Sequence, residues 1–191
     1  MTIRELVLKN RSYRRFYQDH TIDRETLVKL VDLARHSASG ANVQPLKFFL
    51  SHTPDMNGMI FPHLGWAGYL KDWPGPEQGE RPSAYIIILG DKNIKKSFGC
   101  DHGIAAQSIL LGAVEKGLGG CIVASVDRRD ELIGALGLPK HLLILLVLAL
   151  GKPKETVAID PLVPDGDIKY WRDENEIHHV PKRSLDELIV G

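Results

Sequence analysis

Residues Leu142 to Leu150 read Leu-Leu-Ile-Leu-Leu-Val-Leu-Ala-Leu, with no polar side chain to mark a solvent face. The run is far shorter than the ~20 residues a membrane-spanning helix needs. A strand with one wet face would alternate between apolar and polar; this one does not, so it reads as a strand buried on both faces. A fold for this chain therefore needs a central strand covered from both sides. With 191 residues, 43% of them hydrophobic, the chain can build one compact domain around it.

Local signals place the other elements. Thr2 and Glu5 have capping-box spacing, so a short helix is expected to start there. Asp23 is expected to cap a second helix, on which Leu27, Leu30, Val31 and Ala34 share one face. Lys47 to Ser51 and Tyr85 to Leu89 read as strands. Ile104 to Val114 is apolar on nearly every side, with Gln107 and Ser108 the exceptions; such a helix is buried or lies against a partner, and Gly117 is placed to end it. Cys121 to Val123 reads as a short strand. Asp127 is expected to cap a helix that turns Leu132, Ile133 and Leu136 inward and closes at Gly137. A long connection from Pro54 to Pro82 carries Trp66, Tyr69 and Trp73. It reads equally as a binding lid or as a loop whose aromatics pin it to the core. A polar tail follows Leu150. Helices and strands mix without regular βαβ alternation, which predicts an α+β domain with helices on both sides of a mixed sheet.

Charge and composition exclude several classes. The 24 basic and 24 acidic residues cancel, so nothing points to nucleic acid or to a membrane surface. Two cysteines and an N-terminus without an apolar signal core predict a reducing, cytoplasmic setting. The eight histidines show no metal-ligand spacing, and neighbouring His178 and His179 would point apart in a strand. Asp101 and His102 open a helix, where an aspartate is commonly a cap. Cys121, between Gly120 and Ile122, reads as a small buried hydrophobe.

Four segments carry possible chemistry. Arg11-Ser12-Tyr13-Arg14-Arg15-Phe16 offers guanidinium forks and a hydroxyl for phosphate oxygens, or is simply a solvated basic turn. Ser39-Gly40-Ala41-Asn42-Val43-Gln44-Pro45 offers amide donors and acceptors suited to the polar edge of a flat heterocycle, or is an ordinary turn. Gly117 to Ser125 joins glycines that permit close backbone approach to a strand; equally it is a helix stop before a core strand. Pro181-Lys182-Arg183-Ser184 places two cations near the C-terminus.

Taken in this order, the segments resemble the FMN-dependent nitroreductase family. Its features are an Arg-Ser-x-Arg start, a Ser-x-x-Asn-x-Gln-Pro loop and an apolar helix running into Gly-Leu-Gly. A buried strand then ends in Gly-x-Pro, here Gly151-Lys152-Pro153, and a basic residue, here Arg183, lies close to the C-terminus. The resemblance implies a nitroreductase-like, three-layer α/β/α domain over 1–191, with a mixed, mostly antiparallel sheet. It also implies a variable substrate loop at 52–82 and a tail from 160 to 191 that packs on a partner subunit. FMN would lie at a homodimer interface. Arg11, Ser12 and Arg14 would contact it from one subunit, with Arg183 and Lys182 completing the phosphate site. Ser39, Asn42 and Gln44 would come from the other subunit. Backbone groups of Ile122, Ala124 and Ser125 would face the ring.

The physics of those roles is coherent. A near-dianionic phosphate suits two or three cations, and Arg14 would stabilise charge near N1 of the reduced ring. The flavin carries the electrons, so no catalytic side chain is required. The implied reaction is ping-pong: NAD(P)H, then a nitroaromatic, quinone or similar small acceptor. The alternatives are specialised flavin chemistry (reductive dehalogenation, dehydrogenation or flavin breakdown) and a non-enzymatic protein that holds or senses flavin. The chain departs from the family at Asn10, where many relatives carry a basic residue, at Leu46 in place of Trp, and at Ala124, often acidic elsewhere. Arg15 stands close enough in sequence to Asn10 that whether it supplies the missing charge is left open.

Overall fold

The spine of the main sheet is β5, Leu142–Pro153, in a computed structural model that describes residues 1–163 and 165–191. On one side it pairs antiparallel with β3 (Ala84–Asp91), which pairs in turn with β2 (Leu46–Ser51). Along its other side run β4 (Gly119–Val123) and then β1 (Phe16–Tyr17), both antiparallel. A second, three-stranded sheet joins β6 (Val157–Pro161) in parallel to β8 (His178–Lys182), with β7 (Trp171–Arg172) antiparallel to β8. The helices are α1 (Ile3–Lys9), α2 (Arg24–Arg35), α3 (Pro54–Ile60), α4 (Asp101–Glu115), α5 (Arg129–Ala135) and α6 (Leu185–Leu188).

The charge-free run sits where its composition demands. Leu146 to Leu150 are all buried; Leu143, ahead of the stretch that β4 borders, is exposed. Every residue of β3 is buried, and alternate side chains divide between two cores. On one face Ile86, Ile88, Leu148 and Leu150 meet Leu27 and Leu30 of α2 and Ala106, Ile109 and Ala113 of α4. On the other, Tyr85, Ile87, Val147 and Ala149 meet Ile60, Leu64 and Leu132. Each fully buried Leu or Ile contributes about 2 kcal/mol, so the sheet with helices on both faces is the stable arrangement for this pattern. The near-uniform apolarity of α4 is largely used within the chain, with Ala105, Ala106, Ile109, Leu110, Ala113 and Val114 all buried.

Capping follows the sequence at three ends. Thr2 and Glu5 form the capping box of α1, and Asp23 accepts from the Thr26 N–H at the start of α2. Gly117, at φ 73°, ends α4 while the Leu118 N–H returns to the Ala113 carbonyl.

Three expectations need correction. Asp127 does not cap α5: left-handed Arg128, at φ 48°, occupies the N-cap without a side-chain hydrogen bond. The connection from 54 to 82 is not all loop, because α3 and a 3₁₀ turn at Phe61–His63 fill its first part. The polar tail contains the small sheet of β6, β7 and β8, whose buried His178 is held by its N–H to the Thr156 carbonyl at 2.9 Å.

Candidate functional site

After α1 the chain turns along the edge of β4. Ser12 bridges Gly120, and the Tyr13 N–H donates to the Gly120 carbonyl at 3.0 Å. This close approach needs glycine: a Cβ on Gly119 would lie 2.5 Å from the Tyr13 ring, and one on Gly120 would lie 2.7 Å from the Ala149 carbonyl oxygen. These two glycines therefore serve packing inside the protein. Asn10, Arg11, Ser12 and Arg14 form one wall of a cleft of about 280 Å³; Gln107 and Leu110 of α4 and His178, Val180 and Lys182 of β8 form others.

The cleft is cationic. Arg11, Arg14 and Lys182 line it, and among the described residues no carboxylate does. Arg11 donates from Nη2 to the Val7 carbonyl at 2.8 Å, while its Nε is buried with no partner among the described residues. Arg14 donates from Nη1 to the Ser12 carbonyl and lies 3.2 Å from Nε2 of His178. Its guanidinium carbon stands 4.9 Å from the centre of the Tyr170 ring, a cation–π contact. Behind the cleft, the buried Glu155 carboxylate accepts from the backbone N–H groups of Arg14 and Arg15 and from Arg172 Nη2 at 3.2 Å. Its side chain is only 1% exposed.

His178 is 1% exposed, and burial pushes its pKa down to about 4, helped by the charges of Arg14, Arg172 and His179. It is therefore neutral at pH 7. Accepting from Arg14 at Nε2 requires the proton on Nδ1, which has no protein partner. His179 points the other way, as expected of adjacent strand residues, and contacts Asp160 at 2.7 Å and Asp173 at 3.4 Å. Among the described residues no group of three metal-ligating side chains forms. Cys121 is buried, and burial raises its pKa, so it is an inert thiol.

The remaining residues singled out from sequence lie elsewhere. Ser39 donates to Asp101 at 2.6 Å and accepts from the Gln44 N–H at 2.9 Å, and Gln44 Nε2 donates to Asn42 Oδ1 at 3.1 Å. Asp101, inside the first turn of α4, is thus a clamp for this loop, and the hydroxyl of Ser39 followed by the Gly40 N–H lowers its pKa. The clamp holds Ala41, Asn42 and Gln44 at positive φ of 52°, 55° and 53°, a conformation non-glycine residues adopt at a cost. Ser39 and Gln44 border a separate pocket of about 320 Å³ together with Val31, Lys47 and Phe48.

Ile122 lines the cleft, whereas Ala124 and Ser125 do not. The Ala124 carbonyl accepts from Arg129 and the Ser125 carbonyl from the Gly65 N–H. Arg183 is exposed and pairs with Glu187 at 3.3 Å. Arg15 does not stand in for the charge absent at Asn10, because Glu80 and Glu176 hold it at 2.5 and 2.6 Å. Asn10 itself donates to Gln107 at 3.4 Å. Sequence reasoning missed Glu155, Tyr170 and His178; Gln107 had a signal as a polar break in an apolar helix.

The sequence pattern described as the nitroreductase family matches residues 7–66 and 81–152. The chain belongs to the nitroreductase family. That membership places it among oxidoreductases. A Methanothermobacter thermautotrophicus protein, provisionally named an NADH dehydrogenase/NAD(P)H nitroreductase, is 28% identical over 81% of this chain and 79% of its own length. The NADPH-flavin oxidoreductase of Vibrio harveyi is 31% identical over 47% of this chain and 38% of its own length. Solved structures share the fold at low identity. A nitroreductase family protein from Clostridium novyi NT superposes with a TM-score of 0.66 at 22% identity, over 100% of both chains. The FMN-dependent nitroreductase of Clostridium difficile R20291 gives 0.62 at 20% identity, over 78% of this chain and 87% of its own.

Within this nitroreductase-family chain, the pattern leaves out 1–6, 67–80 and everything after 152. The two longer regions outside the pattern meet: Tyr69 packs on Tyr170 with ring centres 4.9 Å apart, and Arg172 lies 4.2 Å over the Trp73 ring. Through Tyr170 and His178 they also reach Arg14.

Proposed function

We propose that this chain is an FMN-dependent oxidoreductase in which NAD(P)H drives the reduction of small acceptors such as nitroaromatics or quinones. It would work as a cytoplasmic homodimer. One observation carries the reading: Arg11, Ser12, Arg14, Ile122 and Lys182 converge on one cleft in which a buried Arg11 Nε lacks a partner. That donor set fits a phosphate-bearing group with a flat, partly polar ring. The names of the Methanothermobacter, Vibrio and Clostridium relatives support the same reductant and cofactor class.

Bound FMN would supply the two-electron chemistry. Arg11 and Lys182 would hold its phosphate, with the Ser12 hydroxyl adding a hydrogen bond. Arg14 would offer a fixed positive charge to the ring. Neutral His178 orients that guanidinium without opposing its charge, and Tyr170 backs it. Glu155 anchors the backbone that carries it. Such preorganised charge stabilises a developing anion more than mobile water does. Ser39, Asn42 and Gln44 lie outside the cleft lining of their own chain. On this reading they serve the cleft of a second copy, and backbone groups of Ala124 and Ser125 face the ring only once that site is complete.

The test is a visible spectrum of the purified protein, then anaerobic addition of NADH or NADPH. Flavin bands that bleach are expected; no bands after incubation with free FMN would sink the proposal. Arg14→Ala is expected to weaken FMN retention about tenfold, the scale of one charge-assisted hydrogen bond, and to slow bleaching. Unchanged retention and rate would remove Arg14 from the site. A second reading keeps the cofactor but changes the acceptor to one needing specialised chemistry. It is favoured by Tyr69, Trp73 and Tyr170, which cluster in segments outside the family pattern. Slow turnover with NAD(P)H and a nitro compound, despite fast bleaching, would move this reading to first place.

A further inference from the structure

A second pocket, of about 230 Å³, lies between α3, the start of β3 and residues 78–82, and it shares no lining residue with the cleft. We propose that it binds a small organic carboxylate.

Among the described residues, several of its donors have no partner. Arg81 stacks its guanidinium carbon 4.1 Å from the centre of the Phe61 ring, and its Nε is buried with no hydrogen bond. Arg15 and Arg172, also partly buried, are each paired with a carboxylate, through Glu80 and Glu155; among the described residues Arg81 has no such pair. Ser83 is only 8% exposed, and its Oγ is likewise unpartnered. Tyr85 lines the same pocket, and burial holds its phenol well above the ordinary value, so it stays protonated and able to donate.

Several polar groups around these donors are already engaged. The Ser83 N–H donates to the Leu150 carbonyl at 3.0 Å, and the Ser83 carbonyl accepts from Asn57 at 2.8 Å. Asn57 in turn accepts from Ser51 at 2.6 Å, so its polar groups are engaged. Gln18 directs its oxygen to the N–H groups of Gly79 and Arg81. Among the described residues no Asp or Glu lines the pocket.

Leaving buried donors unsatisfied is costly, and a planar carboxylate matches a guanidinium fork with a hydroxyl beside it. A phosphate dianion would call for further fixed cations. Pro54, Phe61 and Pro82 supply apolar wall for the body of the acid. The volume lies below the ~300–1,000 Å³ of drug-sized sites, which limits the ligand to a small acid.

Isothermal titration with sodium benzoate tests this, using the wild-type chain, Arg81→Met, Ser83→Ala and Arg11→Ala, with inorganic phosphate as competitor. The expected result is binding by the wild type, weakened at least tenfold in Arg81→Met and several-fold in Ser83→Ala, and unchanged in Arg11→Ala. Ser83→Ala keeps the test decisive if Arg81→Met fails to fold. No binding by the wild type, or equal binding by Arg81→Met or Ser83→Ala, would overturn the site. Loss in Arg11→Ala would place the anion in the cationic cleft instead. Displacement of benzoate by equimolar phosphate would overturn the carboxylate assignment.

Discussion

The family-matched body of the molecule and the two longer segments outside it, 67–80 and 153–191, are held together by different physics. In the body, β3 is buried end to end, and glycines at 119, 120 and 151 let Tyr13, Leu110 and Phe16 press against backbone. Outside it the contacts are polar and aromatic. Glu80 takes Arg15 and Lys154, Tyr69 meets Tyr170, and His179 sits between Asp160 and Asp173 with its ring 4.8 Å from Trp171. Apolar packing sets the shape of the body. The additions are attached to that shape by directional contacts, and one of the residues making them, Tyr170, lines the cleft. Such segments can change the mouth of a site without repacking the core beneath it.

Glu155 is where the two regions join, so its loss has the largest expected effect. Glu155→Ala leaves Arg172 and two backbone N–H groups without their acceptor in a buried setting. About 3–5 kcal/mol of stability should disappear, read as a lower urea midpoint, and FMN retention should fall with it. A loss under ~1 kcal/mol, on the scale of an exposed ion pair, would mean that something else fastens the small sheet to the body.

His178 sharpens the same boundary through pH. Its folded pKa is depressed to about 4 from 6.5, so between those values the unfolded chain binds the proton and the folded chain does not. Stability should therefore decline as pH falls through this window, by on the order of 3 kcal/mol at its lower end. His178→Gln should flatten that slope in urea melts recorded across the window. His179 has the opposite sign. Hydrogen bonding to Asp160 raises its pKa, so its contribution is present below the ordinary histidine value and is lost as pH rises through the raised one. If His178→Gln left the acid slope untouched, the buried imidazole would not be the group that titrates there.

The body should respond to sterics instead. Gly120→Ala drives a Cβ to 2.7 Å from both the Ala149 carbonyl oxygen and Leu110, and about 2 kcal/mol of destabilisation is expected, with little dependence on pH. A neutral outcome would show that β4 can move away from β5. The contrast between body and additions would then be weaker than the packing suggests.

These differences explain what the sequence could reveal. A charge-free run, an all-round apolar helix and glycine stops follow from burial and backbone geometry, so β5, α4 and the end of α4 at Gly117 were legible. The small sheet was not. Its strands are short, β8 reads His-His-Val-Pro-Lys, and its support comes from ion pairs and ring contacts that leave no periodic trace. α3 carried a usable signal that went unread: Thr53 accepts from the Met56 N–H, with Pro54 next to it. The left-handed cap at Arg128 had none, since that conformation is imposed by what surrounds it. In the site, the cations and Ser12 were legible as residue types. Glu155, Tyr170 and His178 were not, because only the fold brings them to Arg14.

The smallest effect separates two neighbours. The resemblance to the family put Arg183 first among the C-terminal phosphate contacts, whereas in the fold Lys182 lines the cleft and Arg183 faces Glu187 across one helical turn. Arg183→Ala should cost no more than about 0.5 kcal/mol, the scale of an exposed i,i+4 pair, and should leave FMN retention unchanged. Lys182→Ala should be equally mild in urea melts but should weaken FMN retention severalfold, and more so at low salt, where charge–charge attraction is less screened. If the two effects on retention were reversed, residues beyond β8 would have to rearrange when the cofactor binds. The additions would then be moving parts of the site, and the body alone would supply its fixed half.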